Sequence, residues 1–228
     1  MRVIGVSGPS CSGKTTLARH LRTILGNSEI VYMDDWYKPE KDLPLDEDGE
    51  PDWDVPQSFD IQGLSEFVKD CKKRGTLPGV GPTREEFNNK SPSLLSAYET
   101  NELALFFADI VGDEPVLIVE GLYTFYDSDL REQLDLKILC PVNYEILKAR
   151  REAREGYHTD AGYWKDPPNY FDTHVWPRFL KYSKKMYSED LKQVSAYGLS
   201  IDAWMPSTLN MPLCLKEIGL KLKNMASV

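Results

Sequence analysis

The sequence predicts an α/β protein built on a parallel sheet covered by helices. Three observations carry this. Short apolar runs, such as Val3 to Val6 and Val116 to Val119, alternate with longer segments of helical period, the pattern of strand–helix–strand crossovers. A Gly-rich turn joins the first apolar run directly to the first helical one. No internal repeat and no composition break divides the 228 residues, so a single domain is expected.

The elements follow in order. Val3, Ile4 and Val6 form a buried first strand. Thr15 to Leu25 carries Leu17, Leu21, Ile24 and Leu25 at helical spacing, and Gly26 stops it. Ile30 to Met33 is a second strand. Asp60 is placed to N-cap a helix bearing Ile61, Leu64, Phe67, Val68 and Cys71. Residues 75–92 are rich in Gly, Pro and charge and read as a loop; no role is assigned to 75–112. Pro115 opens the strand Val116 to Val119, which Glu120-Gly121 closes. Leu136 to Cys140 is a further strand ending at Pro141. A basic helix is expected over 143–155, a loop over 156–169 and a long helix from Phe171 to Leu191, with Pro177 marking a break or a later start. A strand near 197–201 and a terminal helix near 212–224 complete the chain. The acidic stretch Asp42 to Asp54 reads as a surface excursion.

Composition limits the partners. A net charge of −9 argues against nucleic acid and against anionic membranes, both of which select basic faces. A small nucleotide needs only one local cationic pocket. Cys11, Cys71, Cys140 and Cys214 form no CxxC pair, which suggests neither a zinc site nor a disulfide framework. Reduced thiols, no apolar run of membrane length and no signal-like start lead to a cytoplasmic expectation, with a nuclear share left open.

The strongest motif is Gly8-Pro9-Ser10-Cys11-Ser12-Gly13-Lys14-Thr15, which satisfies G-x-x-x-x-G-K-[ST] between a strand and a helix. Its glycines let backbone N–H groups turn toward a phosphate, and the helix N-terminus adds a favourable dipole. Lys14 reaches the β- and γ-phosphates of ATP, and Thr15 holds Mg²⁺. A guanine-specific switch needs Asn-Lys-x-Asp, whereas Asn89-Lys90-Ser91-Pro92 lacks the Asp. A kinase needs a base, a metal-side carboxylate and a cationic lid. Asp34 and Asp35 stand just past the second strand, at the sheet edge where ligands bind. Glu120 ends another strand. Arg150, Arg151 and Arg154 precede a loop holding Gly156 and Gly162. The same residues also read as a solvated turn, a loop Glu and a solvated helix face.

The chain resembles nicotinamide riboside kinases, within the uridine kinase-like P-loop kinases. Four blocks carry the resemblance: Gly8 to Thr16; Asp34-Asp35-Trp36-Tyr37-Lys38-Pro39-Glu40; Val119-Glu120-Gly121; and Tyr170 to Pro177 with Leu180-Lys181-Tyr182. The resemblance implies a three-layer fold with sheet order 2-3-1-4-5 and a lid at about 151–169. It implies phosphoryl transfer from ATP, with Mg²⁺, to the 5′-hydroxyl of nicotinamide riboside, giving nicotinamide mononucleotide for NAD salvage. Gly8, Ser10, Cys11, Ser12, Gly13, Lys14, Thr15, Thr16 and Arg154 would hold ATP. Asp35 would be the base, with Lys14, Arg151 and Arg154 at the phosphoryl group and Glu120 beside the metal with Thr15. Asp54 would bind the ribose hydroxyls, Trp53 would stack on the base, and Asp166 would be a further substrate-side carboxylate. Either Tyr163 or Tyr157 would supply a second aromatic. A uridine/cytidine kinase and a catalytically idle nucleotide-binding regulator remain alternatives, as do monomer and homodimer.

Overall fold

The computed structural model describes residues 1–79, 81, 83, 85, 93–141, 143–159, 162–183, 201–205 and 210–225. Five strands form one parallel sheet: β1 (Arg2–Ser7), β2 (Ser28–Tyr32), β3 (Val116–Gly121), β4 (Leu136–Leu139) and, at one edge, β7 (Ala203–Trp204). Their order is β2-β3-β1-β4-β7. Numbered among themselves these strands run 2-3-1-4-5, the order the resemblance implies. Two further strands, β5 (Tyr157–Thr159) and β6 (Gly162–Trp164), make a separate antiparallel hairpin.

The sheet is buried on both sides because successive residues of a strand face opposite ways. Ile4 and Val6 of β1 and Val116 and Ile118 of β3 pack on one face against α1 (Lys14–Leu25), with α3 (Ala97–Val111) and α7 (Met211–Met225) outside them. Leu17 and Leu21 of α1, Phe107 of α3 and Ile218 of α7 are among the residues that meet there. Val3, Leu117 and Val119 face the other way, onto Leu64 and Val68 of α2 (Ile61–Arg74), Leu130 of α4 (Ser128–Gln133) and Phe179 of α6 (Trp176–Ser183). Each such side chain contributes about 1.5–3 kcal/mol of burial. Since all five strands are parallel, β1, β2 and β3 deliver Ser7, Tyr32 and Gly121 to one edge of the sheet. A third small cluster, Leu147, Phe171 and Val175 with Cys11 and Tyr144 against it, seats α5 (Tyr144–Glu152) beside the Gly-rich loop.

Several expectations change. The helix expected over 143–155 is α5, capped by Asn143, whose side chain accepts from the Ile146 N–H. The loop expected over 156–169 contains the β5–β6 hairpin. The long helix opens with a π-helical turn at Phe171–Val175, and Pro177 is the second residue of α6. Proline supplies no N–H to the helical ladder, and the turn before it is widened, with the Trp176 N–H reaching back to the Phe171 carbonyl. Residues 184–191 lie outside the described residues, as do 197–200 of the expected last strand; the edge strand is 203–204. Helix α3, unassigned from sequence, starts at a full capping box between Ser96 and Glu99. Its Ser-x-x-Glu signature was legible.

Candidate active site

The Gly-rich loop leaves β1 and enters α1. At Gly8 a Cβ would lie 2.7 Å from the Cys140 carbonyl oxygen and 2.8 Å from Ser12 Oγ, so no side chain fits. Gly13 takes φ 92° as the N-cap of α1 and offers no side chain to the first turn, which also lacks an acidic residue. The free N–H groups and the positive end of the helix dipole therefore remain directed at the loop. Ser12 Oγ is buried without a hydrogen-bond partner among the described residues. A buried hydroxyl in that position suits a loop that closes on a phosphate. Thr16 follows Thr15 in the first turn, half-buried.

Carboxylates gather around Lys14. Its Nζ lies 3.6 Å from Glu120 Oε1, and the Thr15 side chain favours the charged form of the same carboxylate. Burial pushes the Glu120 carboxyl well above the usual range, with Lys14 opposing this and Asp34 and Glu85 adding to it. Burial alone would lower Lys14, but Glu120 and then Asp34 outweigh it and hold the ammonium charged. Among the described residues no three His, Cys, Asp or Glu side chains form a metal cage. Mg²⁺ in phosphoryl-transfer sites needs none, since it takes one or two protein groups and completes its shell with water and phosphate oxygens. Thr15 and Glu120 fit that donor set. Glu85, from the loop given no role by sequence, is a residue that reading missed; an acidic residue in a charged loop carries no signal.

The expected base, Asp35, shares one turn with Asp34. Met33–Trp36 is a single 3₁₀ turn after β2, and its neighbouring side chains point about 120° apart. Asp34 is half-buried, and its charge acts on Lys14, Glu120 and Tyr37. Asp35 is exposed. The charge of Asp34 therefore reaches the Lys14–Glu120 pair at the end of the Gly-rich loop.

Arg151 joins the two ends of the site. It is buried, and its guanidinium meets Asp166 in a two-pronged pair, Nε to Oδ2 at 2.5 Å and Nη2 to Oδ1 at 2.9 Å. Nη1 donates to Ser10 Oγ at 2.8 Å, and Nη2 also donates to the Tyr157 hydroxyl at 2.8 Å. Arg150 donates to the Cys11 carbonyl at 3.2 Å. Arg154 is exposed and stands 5.7 Å over the Tyr157 ring, with Arg151 at 5.1 Å. Between the two candidate tyrosines the structure turns Tyr157 inward, while Tyr163 is 60% exposed. Strand alternation puts neighbouring residues on opposite faces, so the hairpin register decides this and spacing does not. Trp164, not singled out by sequence, donates Nε1–H to Asp166 Oδ1 at 2.9 Å and meets Tyr170 edge-on.

At the other end Asp54 is 8% exposed. Its Oδ2 accepts from the Tyr170 hydroxyl at 3.0 Å, and its backbone carbonyl accepts from Tyr123 at 2.7 Å. Burial raises the Asp54 carboxyl above its ordinary value; Arg151 and Tyr170 pull it back. Trp53 is half-buried beside Tyr37, ring centroids 5.5 Å apart, and its carbonyl accepts from the Tyr37 hydroxyl at 3.2 Å.

Known proteins with this arrangement can now be compared. Residues 86–161 match the Phosphoribulokinase / Uridine kinase family. Over 180 residues the chain is 34% identical to a nicotinamide riboside kinase of Schizosaccharomyces pombe, covering 78% of this chain and 77% of that one. The chain belongs to the nicotinamide riboside kinase family. Nicotinamide riboside kinase 1 of Rattus norvegicus is 32% identical, with 82% of this chain and 80% of that one covered, and nicotinamide riboside kinase 1 of Homo sapiens is 30% identical, with 81% and 77% covered. Among solved structures, an unliganded sugar kinase of Janibacter sp. superposes with a TM-score of 0.51 at 16% identity, over 99% of this chain and 96% of that one. That likeness speaks to the fold alone. Family membership and a shared fold agree with the sheet order and with the placing of the Gly-rich loop at the carboxyl edge.

Proposed function

We propose that this chain transfers the γ-phosphoryl group of ATP to the 5′-hydroxyl of nicotinamide riboside, giving nicotinamide mononucleotide and ADP. The observation that carries this is the bridge through Arg151. It ties the Gly-rich loop at Ser10 to Asp166, beside a buried Asp54 and an aromatic Trp53. One end suits a triphosphate and the other a ribose with a flat base.

The roles follow from the geometry. Loop N–H groups from Gly8 to Gly13 cradle the phosphates, and Lys14 offsets charge on the phosphoryl oxygens as the bond to ADP breaks. Thr15 and Glu120 would hold Mg²⁺, which supplies further charge neutralisation at those oxygens when bound. Asp34 accepts the proton of the 5′-hydroxyl as its oxygen bonds to phosphorus. Asp54 takes the ribose hydroxyls, and Asp166 orients Arg151. Nicotinamide riboside carries a fixed positive charge on its ring. The face of Trp53 attracts such a ring by about 0.5–2 kcal/mol, which a neutral pyrimidine would not gain. The whole chain acts as one domain, with the β5–β6 hairpin and Arg154 as its lid. Free thiols at all four cysteines support a cytoplasmic setting.

A coupled assay of ADP release against a panel of nucleosides tests this. Turnover on nicotinamide riboside well above that on uridine is expected. Lys14→Ala is the negative control, with an expected loss of about 10²–10³-fold, the cost of removing one preorganised charge-stabilising group. Turnover on uridine alone would move the chain to the pyrimidine nucleoside kinases. No turnover on any nucleoside, with ATP still bound, would mark a nucleotide-binding regulator.

A further inference from the structure

Outside the site described above, the most heavily tied part of the molecule is the acidic excursion at 42–54. Its acidic composition suggests a solvated loop, yet two of its carboxylates are nearly buried: the Asp46 side chain is 8% exposed and that of Asp52 is 11% exposed. Asp46 Oδ1 accepts from the Asp48 and Glu50 N–H groups at 2.9 and 3.0 Å and closes the loop on itself. Asp46 Oδ2 and Asp52 Oδ2 face the segment that begins at Tyr170. Arg178 of α6 donates Nε–H to Asp52 Oδ2 at 2.7 Å, and its Nη2 lies 3.8 Å from Asp46 Oδ2. His174 Nε2 lies 3.6 Å from the same Asp46 oxygen.

These contacts lead directly to the nucleoside end. Asp52 Oδ1 accepts from the Asp54 N–H at 3.2 Å, so the carboxylate that Arg178 holds also holds the Asp54 backbone. The His174 ring stacks flat on Tyr170, centroids 4.7 Å apart and planes within 9°. Tyr170 in turn donates to the Asp54 carboxylate. Arg178 is itself steadied by donating to the Thr173 carbonyl at 3.3 Å. Asp54 is thus gripped twice from one helical segment, at its backbone through Asp52 and at its side chain through Tyr170.

We propose that Arg178 is a positioning residue for nucleoside binding: by pairing with Asp52 and Asp46 it fixes the excursion in the one arrangement that presents Asp54 and Trp53 to the ribose and base. The proposal rests on Asp54 and Trp53 being nucleoside contacts. One oriented, charge-assisted hydrogen bond, backed by a second ion pair at low exposure, holds geometry in a way that a solvated surface pair does not. Among the described residues the clasp makes no hydrogen bond or ion pair with Lys14, Glu120 or the Gly-rich loop, so ATP binding is expected to be independent of it.

Calorimetric titration of the full chain tests this without requiring turnover. Nicotinamide riboside, uridine and MgATP are titrated separately into wild type, Arg178→Met, Arg178→Lys and Asp52→Asn. The expected result is a nucleoside Kd about tenfold weaker in Arg178→Met and in Asp52→Asn, with the Kd for MgATP within about twofold of wild type. Arg178→Lys keeps the charge but loses the planar fork, so it should fall between Met and wild type. Thermal melting checks that each variant is folded; if Arg178→Met is not, Asp52→Asn reads the same contact from the loop side. Unchanged nucleoside affinity in a folded variant overturns the proposal, as does a parallel weakening of nucleoside and MgATP, which would mean general loosening. A wild-type chain that binds uridine and not nicotinamide riboside overturns the substrate assignment, while the Arg178 comparison stands with uridine, because the ribose is common to both. Binding of neither nucleoside overturns both.

Discussion

The two ends of the site are built in opposite ways. The phosphate end comes from consecutive residues, Gly8 to Thr16, between a central strand and the helix after it, with Glu120 delivered by the neighbouring strand in register with Val6. Its shape is mostly backbone conformation. The nucleoside end is assembled from three distant segments, the excursion at 42–54, the β5–β6 hairpin and the Tyr170–Arg178 stretch, and side-chain pairs such as Arg151–Asp166 and Arg178–Asp52 hold them together. The difference teaches where sensitivity should lie. Backbone-built sites resist single side-chain changes outside the reacting groups, whereas clasped sites shift when any one clasp is cut.

The largest expected effect is at the phosphate end, at the proposed base. Asp34→Asn keeps the shape and removes the proposed proton acceptor, so single-turnover rates should fall by about 10²–10⁴-fold with little change in ATP binding. Asp35→Asn should do much less. The reverse ranking would return the base to Asp35, and normal rates in both variants would mean a transition state loose enough to need no base.

A smaller effect is expected at the nucleoside end. Trp53→Ala should weaken nicotinamide riboside binding by about 2–30-fold, the range of a cation–π contact, and weaken uridine less. Equal weakening of both nucleosides would remove ring charge as the basis of choice. Tyr163→Ala, at an exposed position, should matter less than Tyr157→Ala.

The smallest and most diagnostic effect is in pH. Asp54 has its folded-state pKa raised above the ordinary 3.8, chiefly by burial. The fold therefore favours its protonated form. Its contribution to stability is fully present below the ordinary carboxylate range and is lost as pH rises through the raised value. Ribose hydroxyls donate best to the charged carboxylate, so nucleoside affinity should grow over that same interval. Stability and nucleoside affinity should thus run in opposite directions with pH. Asp54→Asn should flatten the nucleoside profile. A profile that persists in Asp54→Asn would assign the titration to another group.

Much of the fold was legible because its determinants are local. Apolar runs, the Asp60 cap and the Gly26 stop each speak through neighbours within a few residues, and all three stand where the sequence placed them. Helix α3 was equally local, and its capping box at Ser96 went unread. The hairpin at 157–164 was read as loop because its strands are only three residues long and alternate no apolar face.

The sequence by itself determined the α/β class, the Gly-rich loop and the residue types of the site, since strand pattern, turn chemistry and phosphate cradling are properties of contiguous residues. Only the tertiary structure decided that the Asp34 charge acts on Lys14, that Tyr157 rather than Tyr163 turns inward, and that Arg178 grips Asp52. Those choices depend on how a turn or hairpin is rotated about its own axis when it docks. That rotation is set by packing partners as distant as Asp52 is from Arg178, 126 residues away in the chain, and no local spacing records them.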